Sequence, residues 1–167
     1  MPATWTAPRT YTTNELITKT ILDTHVRDNL LWLKTPTESG NITFASDFTT
    51  TATTYVDVTG LTTTMTTNGG GVDVYLRLTM MSNTAGAENW MQLVVDGTSY
   101  AILGSWCSSL VSKMGSYQFF HHVTGLSAGS HTFKIQVKGW AGAGTITIRG
   151  TTGALGDPNF YVIERGT

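Results

Sequence analysis

The sequence predicts a mainly β fold: an antiparallel jelly roll or β-sandwich of eight to ten strands, preceded by an extended arm and a short α-helix. Three observations carry that expectation. Residues 41–167 show period-two alternation of apolar and polar side chains in run after run. Gly-bearing breaks separate the runs at the spacing expected of a sandwich. The character of the chain also changes near Pro36, before which helical periodicity takes over. The expected organisation is therefore an anchoring or oligomerising segment, residues 1–36, joined to a β domain, residues 41–167.

The arm comes first. Pro2 and Pro8 both lack an amide donor, which favours an extended path through Trp5, Arg9 and Tyr11. Trp5 is too large and apolar to be left in water without a reason. Two destinations stay open for it, its own β domain or a partner protein.

Thr12-Thr13-Asn14-Glu15 reads as a capping box, with Thr12 as N-cap and Glu15 reaching back. Ile17, Ile21, Val26, Leu30 and Leu33 follow at helical spacing, and Leu16 and Leu22 widen the stripe. Asp23-Thr24 offers a second capping signal, so a division into two short helices is open. Lys34 suits the C-terminal end of the dipole, and Pro36 stops the helix. Around Trp32 the run Leu30 to Leu33 is apolar on more than one side, which calls for more than one neighbour. Packing on its own domain, self-association and insertion into a host assembly all remain as answers. At most two heptads are present, too few for an independent coiled coil.

In the β region, Val72, Val74, Leu76, Leu78 and Met80 share one strand face. Phe133, Ile135 and Val137 alternate with polar neighbours in the same manner, as do Ile146 and Ile148. Asp96-Gly97, set between apolar runs, signals a hairpin with a primed turn. Further runs are expected at 42–48, 54–59, 61–67, 117–124 and 160–164, with Gly69-Gly70-Gly71 as a loop. Phe119 and Phe120 point to opposite faces, and the run through Tyr161 is apolar on both sides. A strand apolar on both faces needs cover on both, from a helix, a loop or a neighbouring subunit. Charged residues make up only 13% of the chain, which favours the subunit.

Composition excludes several function classes. A net charge of −1 gives no pull toward nucleic acid. No apolar run approaches the roughly 18 residues of a membrane span, so no membrane insertion is expected. The single Cys107 suits assembly in a reducing cytosol, and no signal peptide is visible.

No chemistry announces itself. His121 and His122 leave a strand on opposite faces, and His131 has no ligand at metal-binding spacing. No serine sits in a nucleophile elbow, and the triple glycine lacks the Lys-Ser/Thr of a phosphate loop. The expectation is no enzyme, no cofactor and no metal. Trp90 and Trp140 border polar and Gly-rich stretches, where an exposed indole would stack on a sugar ring. A carbohydrate-binding module is thus the alternative reading, with these two residues as the glycan contacts.

Trp5, Pro8, Arg9 and Tyr11, followed by Asn14 to Thr18 and His25 to Leu30, resemble an N-terminal segment of tailed-bacteriophage structural proteins. Tyr55 to Leu61, Gly125 to Phe133 and the closing Phe160 to Glu164 are similar to jelly-roll domains of phage fibres and decoration proteins. In outline those domains are similar to tumour necrosis factor-like trimers. The resemblance implies a virion surface component made in the host cytoplasm, a head fibre, decoration or short tail-fibre type. It implies a homotrimer that docks on capsid or tail proteins; host surface glycan is a further partner in the carbohydrate-binding reading, which is compatible with it. Docking or self-association would fall to Trp5, Arg9, Leu16, Ile17, Ile21, Leu22, Val26, Leu30, Trp32 and Leu33. The chain has no repeated shaft sequence, which favours a compact appendage over a long fibre.

Overall fold

The computed structural model describes residues 6–7, 9–34, 36–107, 110–140, 142, 144–151 and 158–165. Trp5 lies outside the described residues, as do the side chains of Trp32, Trp106 and Cys107. Among the described residues, seven strands follow a single helical segment: β1 (Phe48–Thr50), β2 (Val56–Ser82), β3 (Glu88–Val95), β4 (Thr98–Cys107), β5 (Gly115–Gly139), β6 (Ile146–Ile148) and β7 (Asn159–Glu164).

The architecture is an antiparallel β-sandwich organised by one long ribbon. β2 and β5 pair from Val56↔Val137 to Met80↔Gly115. One half of the ribbon is extended by β7, from Val72↔Glu164 to Arg77↔Asn159, and by β6 at Met80 to Ser82. The other half is extended by β3, from Asn89↔Gly139 to Val95↔Phe133, and then by β4. The ribbon thus contributes strands to both layers. Between them lies one apolar cluster, with Val72, Val74, Leu76, Leu78, Met80, Phe160 and Val162 from one side and Leu61, Met65, Met91, Leu93, Phe133, Ile135 and Val137 from the other.

This continuity is why seven strands appear where eight to ten were expected. The runs 54–59, 61–67 and 72–80 merge into β2, and 117–124 and 132–138 merge into β5. Gly69-Gly70-Gly71 is a bend inside β2 and not a loop between strands. Gly69 and Gly70 have φ of 98° and 108°, and the pairing register shifts between Gly70 and Val72. Glycine reaches such angles without a Cβ penalty, so the ladder turns there without ending. Of the run 42–48, only Phe48 joins a strand; Ile42 makes an isolated bridge to Phe160.

The Asp96-Gly97 hairpin forms as expected, with φ of 51° and 80°. The helix differs from expectation at its start. Thr12 and Glu15 do bond reciprocally, Thr12 N–H to Glu15 Oε2 at 3.1 Å and Glu15 N–H to Thr12 O at 3.1 Å. Asn14, however, has φ 65°, a left-handed residue that closes a turn and cannot continue a right-handed helix. The helix begins at Lys19, with Thr18 as N-cap accepting from Ile21 N–H at 3.3 Å. Leu16 and Ile17 therefore precede it. Asp23–Arg27, where a break was open, is a π-helical segment leading directly into Asp28–Lys34.

Candidate functional site

Two surfaces stand out, the N-terminal segment and the outer face of the β7–β2–β5 layer. On the first, Leu16 is 80% exposed and Leu30 60% exposed, and Ile17, Leu22, Val26, Leu31 and Leu33 are also exposed. Ile21 is half-buried. Asn29, on the same helix, is 7% exposed. It accepts from Thr6 N–H at 2.9 Å, and its Nδ2 donates to Thr6 O at 2.9 Å and His25 O at 3.2 Å. This two-way amide pairing ties the arm to the helix, in place of an arm that folds onto the β domain at that point. Nothing in the sequence marked Asn29 except a polar residue beside an apolar run. Arg9 pairs with Glu15 and stands over the Tyr11 ring at 5.2 Å. The tether and the salt bridge order the segment, yet its apolar side chains remain uncovered.

The exit of this segment is fixed. Glu164 N–H donates to Thr37 O at 2.8 Å, and Glu38 bridges Ile163 on β7. Two residues separate Lys34 from Thr37, a span of three Cα–Cα steps, so the helix ends within about 11 Å of the sheet edge.

On the second surface, alternation sends Ser116, Gln118, Phe120 and His122 of β5 outward. Thr79, Arg77, Tyr75 and Asp73 of β2, and Asn159, Tyr161 and Ile163 of β7, share that face. Register aligns them in rows. Tyr75 is paired with both Phe120 and Tyr161. Its ring lies 5.0 Å from Phe120 and is stacked on Tyr161 at 4.8 Å. Three aromatic residues from three strands thus form one ladder, and Phe120 is 54% exposed. A groove of about 460 Å³ runs along them, lined also by Arg77, Gln118 and Asn159. Asn159 Oδ1 is buried with no hydrogen-bond partner among the described residues.

The row on the other side of the ladder is ionic. Asp73 is buried, and its carboxylate meets His122 Nδ1 at 2.7 Å and the Arg165 guanidinium. The bond to Asp73 holds the Arg165 pKa above its ordinary value. His121 instead sits edge-on to Tyr100, with ring centroids 5.7 Å apart. The two adjacent histidines do face opposite ways. His131 bonds Asp96 at 2.7 Å and Ser127 O at 2.9 Å. Among the described residues, no three His, Cys, Asp or Glu side chains gather as a metal site.

The predicted glycan contacts part company. Trp90 is half-buried, with Lys138 Nζ 5.9 Å from its ring and 4.7 Å from that of Tyr55. Trp140 is 60% exposed, beside a small cleft that includes Thr84 and Glu88.

No known family's sequence model matches the chain, and no curated protein matches it. Solved structures do share its fold. A chain from T=1 particles derived from infectious bursal virus aligns with 79% of this chain at 13% identity and a TM-score of 0.53. A chain of the infectious bursal disease virus Gt strain aligns with 79% at 15% identity and a TM-score of 0.50. The matched part is 36% and 38% of those chains, so this chain spans well under half their length. At such identity the likeness is one of fold, and the chain has the β-sandwich of these viral proteins.

Proposed function

We propose that the chain is a structural component of a virus particle, a surface appendage of the tailed-bacteriophage type. Residues 1–36 dock on a capsid or tail protein, and the sandwich is displayed outward. The observation that carries this reading is the exposed apolar face of the helix and of the residues leading into it. Seven large apolar side chains between Leu16 and Leu33 lie open to solvent in the single chain. Large apolar side chains exposed in such number on one short segment mark an interaction site. Each large side chain buried on docking contributes about 1.5–3 kcal/mol. The shared fold with chains from viral particles supports the choice of assembly.

Deleting residues 1–36 tests it. The truncated protein is expected to be absent from purified particles, scored by immunoblot against the full chain. Incorporation at the full-length level would overturn the reading.

A second reading has one observation in its favour, the exposed Trp140 beside the cleft at Thr84 and Glu88. In that reading the displayed sandwich contacts host surface glycan. Glycan-array binding that Trp140→Ala removes is the expected result, and an array without binding contradicts it.

A further inference from the structure

We infer that the outer face of the β7–β2–β5 layer holds a short, uncharged oligosaccharide, laid across the strands over Phe120, Tyr75 and Tyr161. This site has no described lining residue in common with the Trp140 cleft, and it does not depend on the attachment reading.

The groove is longer than the ring ladder alone. A strap, residues 37–42, pairs with the edge of β7 that faces away from β2, through the Glu38–Ile163 and Ile42–Phe160 bridges. Beside that strap, Glu38, Gly40, Asn41 and Ile163 line a second recess of about 360 Å³ on the same face. Asn159 and Tyr161 line both hollows, so the two form one trough. From β5 across β2 and β7 to the strap is three strand spacings, about 14 Å. A protein partner needs about 800 Å² per side, more than so narrow a trough offers. Clefts of several hundred Å³ with aromatic walls and a few polar groups suit a small ligand.

Stacking decides which ring surfaces remain open. Tyr161 lies nearly parallel to Tyr75, with 12° between the planes, so one of its ring faces is already covered. Its other face turns toward the strap, where Glu38 and Asn41 stand. At the opposite end of the trough Phe120, on the outer strand of the row, is 54% exposed. A sugar ring has an apolar C–H side and a rim of hydroxyls that both donate and accept. The first matches an aromatic face, and the second matches amides and a carboxylate.

Those polar groups follow the trough. Register sets Gln118, Arg77 and Asn159 in one row beside the rings, and Asn41 continues it on the strap. Asn159 Oδ1, buried without a partner among the described residues, is an acceptor for a sugar hydroxyl. A purely apolar ligand would cover these groups without bonding them, at a cost. Arg77 and Glu38 bring one charge of each sign to the lining, which favours a neutral sugar over an acidic one.

The full chain is tested on an array of neutral and acidic oligosaccharides, and its strongest neutral binder is then titrated by calorimetry. Phe120→Ala and Asn41→Ala, both at exposed positions, are expected to weaken that binding with the β circular-dichroism signal kept. For Phe120→Ala the expected loss of affinity is about tenfold. Ile102→Ala, at an equally open site on β4, is expected to bind as the wild type does. In nuclear magnetic resonance spectra of the wild type, the side-chain amide signals of Gln118 and Asn159 are expected to shift as the sugar is added. The inference is overturned by an array without neutral binders, or by amide signals that stay in place at saturating sugar. It is equally overturned if the folded Phe120→Ala and Asn41→Ala variants bind as the wild type does. Binding lost in Trp140→Ala alone also overturns it, and assigns the sugar to the cleft of the second reading. Attachment is scored separately, by incorporation into particles, so failure of one reading is distinguishable from failure of the other.

Discussion

Glu164 is 1% exposed, and its carboxylate accepts from Asn68 N–H at 2.6 Å and from Asn68 Nδ2 at 3.1 Å. It fastens the last strand to the bend of β2. Glu164→Ala would remove both hydrogen bonds, and because water can reach the exposed Asn68 the cost is the net value of about 0.5–1.5 kcal/mol per bond, read as a lower urea midpoint. At the hairpin, the bond to Asp96 raises the pKa of His131, with Ser127 O as the second cause. The Asp96 pKa is lowered, first by His131 and then by Thr132 N–H. The histidine's contribution is whole below about pH 6.5 and is lost as pH rises through its raised value. The aspartate's is whole above about pH 4 and is lost as pH falls through its lowered value. The pair is therefore at full strength between those limits. Wild-type stability should fall from about pH 6 to about pH 9 by more than that of Asp96→Asn, since Asn tolerates the left-handed turn and carries no charge. An equal fall in both proteins would contradict the assignment.

Among the elements, the legible ones were those fixed by local chemistry. Val72 to Met80 alternated, Asp96-Gly97 demanded positive φ, and Pro36 closed the helix; each formed where expected. The helix start was misplaced because Glu15 does reach back to Thr12 N–H, as in a capping box, while Glu15 N–H bonds the Thr12 carbonyl in a turn and Asn14 takes the backbone away from the helix. Thr18 is the N-cap, so Thr18→Ala should destabilise the helix by about 0.5–2 kcal/mol, seen as loss of helical circular dichroism. Thr12→Ala should leave the helix content nearly unchanged. The long strands were hidden for another reason. Glycine usually ends a strand, and only the partner strand, bending at Gly125 and Gly129, shows that the ladder carries on through Gly69 to Gly71. The aromatic ladder was half legible: the two-sided apolar strands at Phe119-Phe120 and Tyr161 were visible, but their alignment with Tyr75 is a matter of register.

For the whole molecule, the account joins a sandwich with a well-filled core to two surfaces left open. The core explains why the β region folds, and nothing in it requires the exposed helix. That separation supports the proposed attachment role of the leading segment. Incorporation of a chain lacking residues 1–36 into particles, compared with the intact chain at equal expression, tests this most directly. The account predicts that the shortened chain keeps its β circular-dichroism signal and is absent from purified particles. A folded shortened chain found in particles at the level of the intact chain would contradict it.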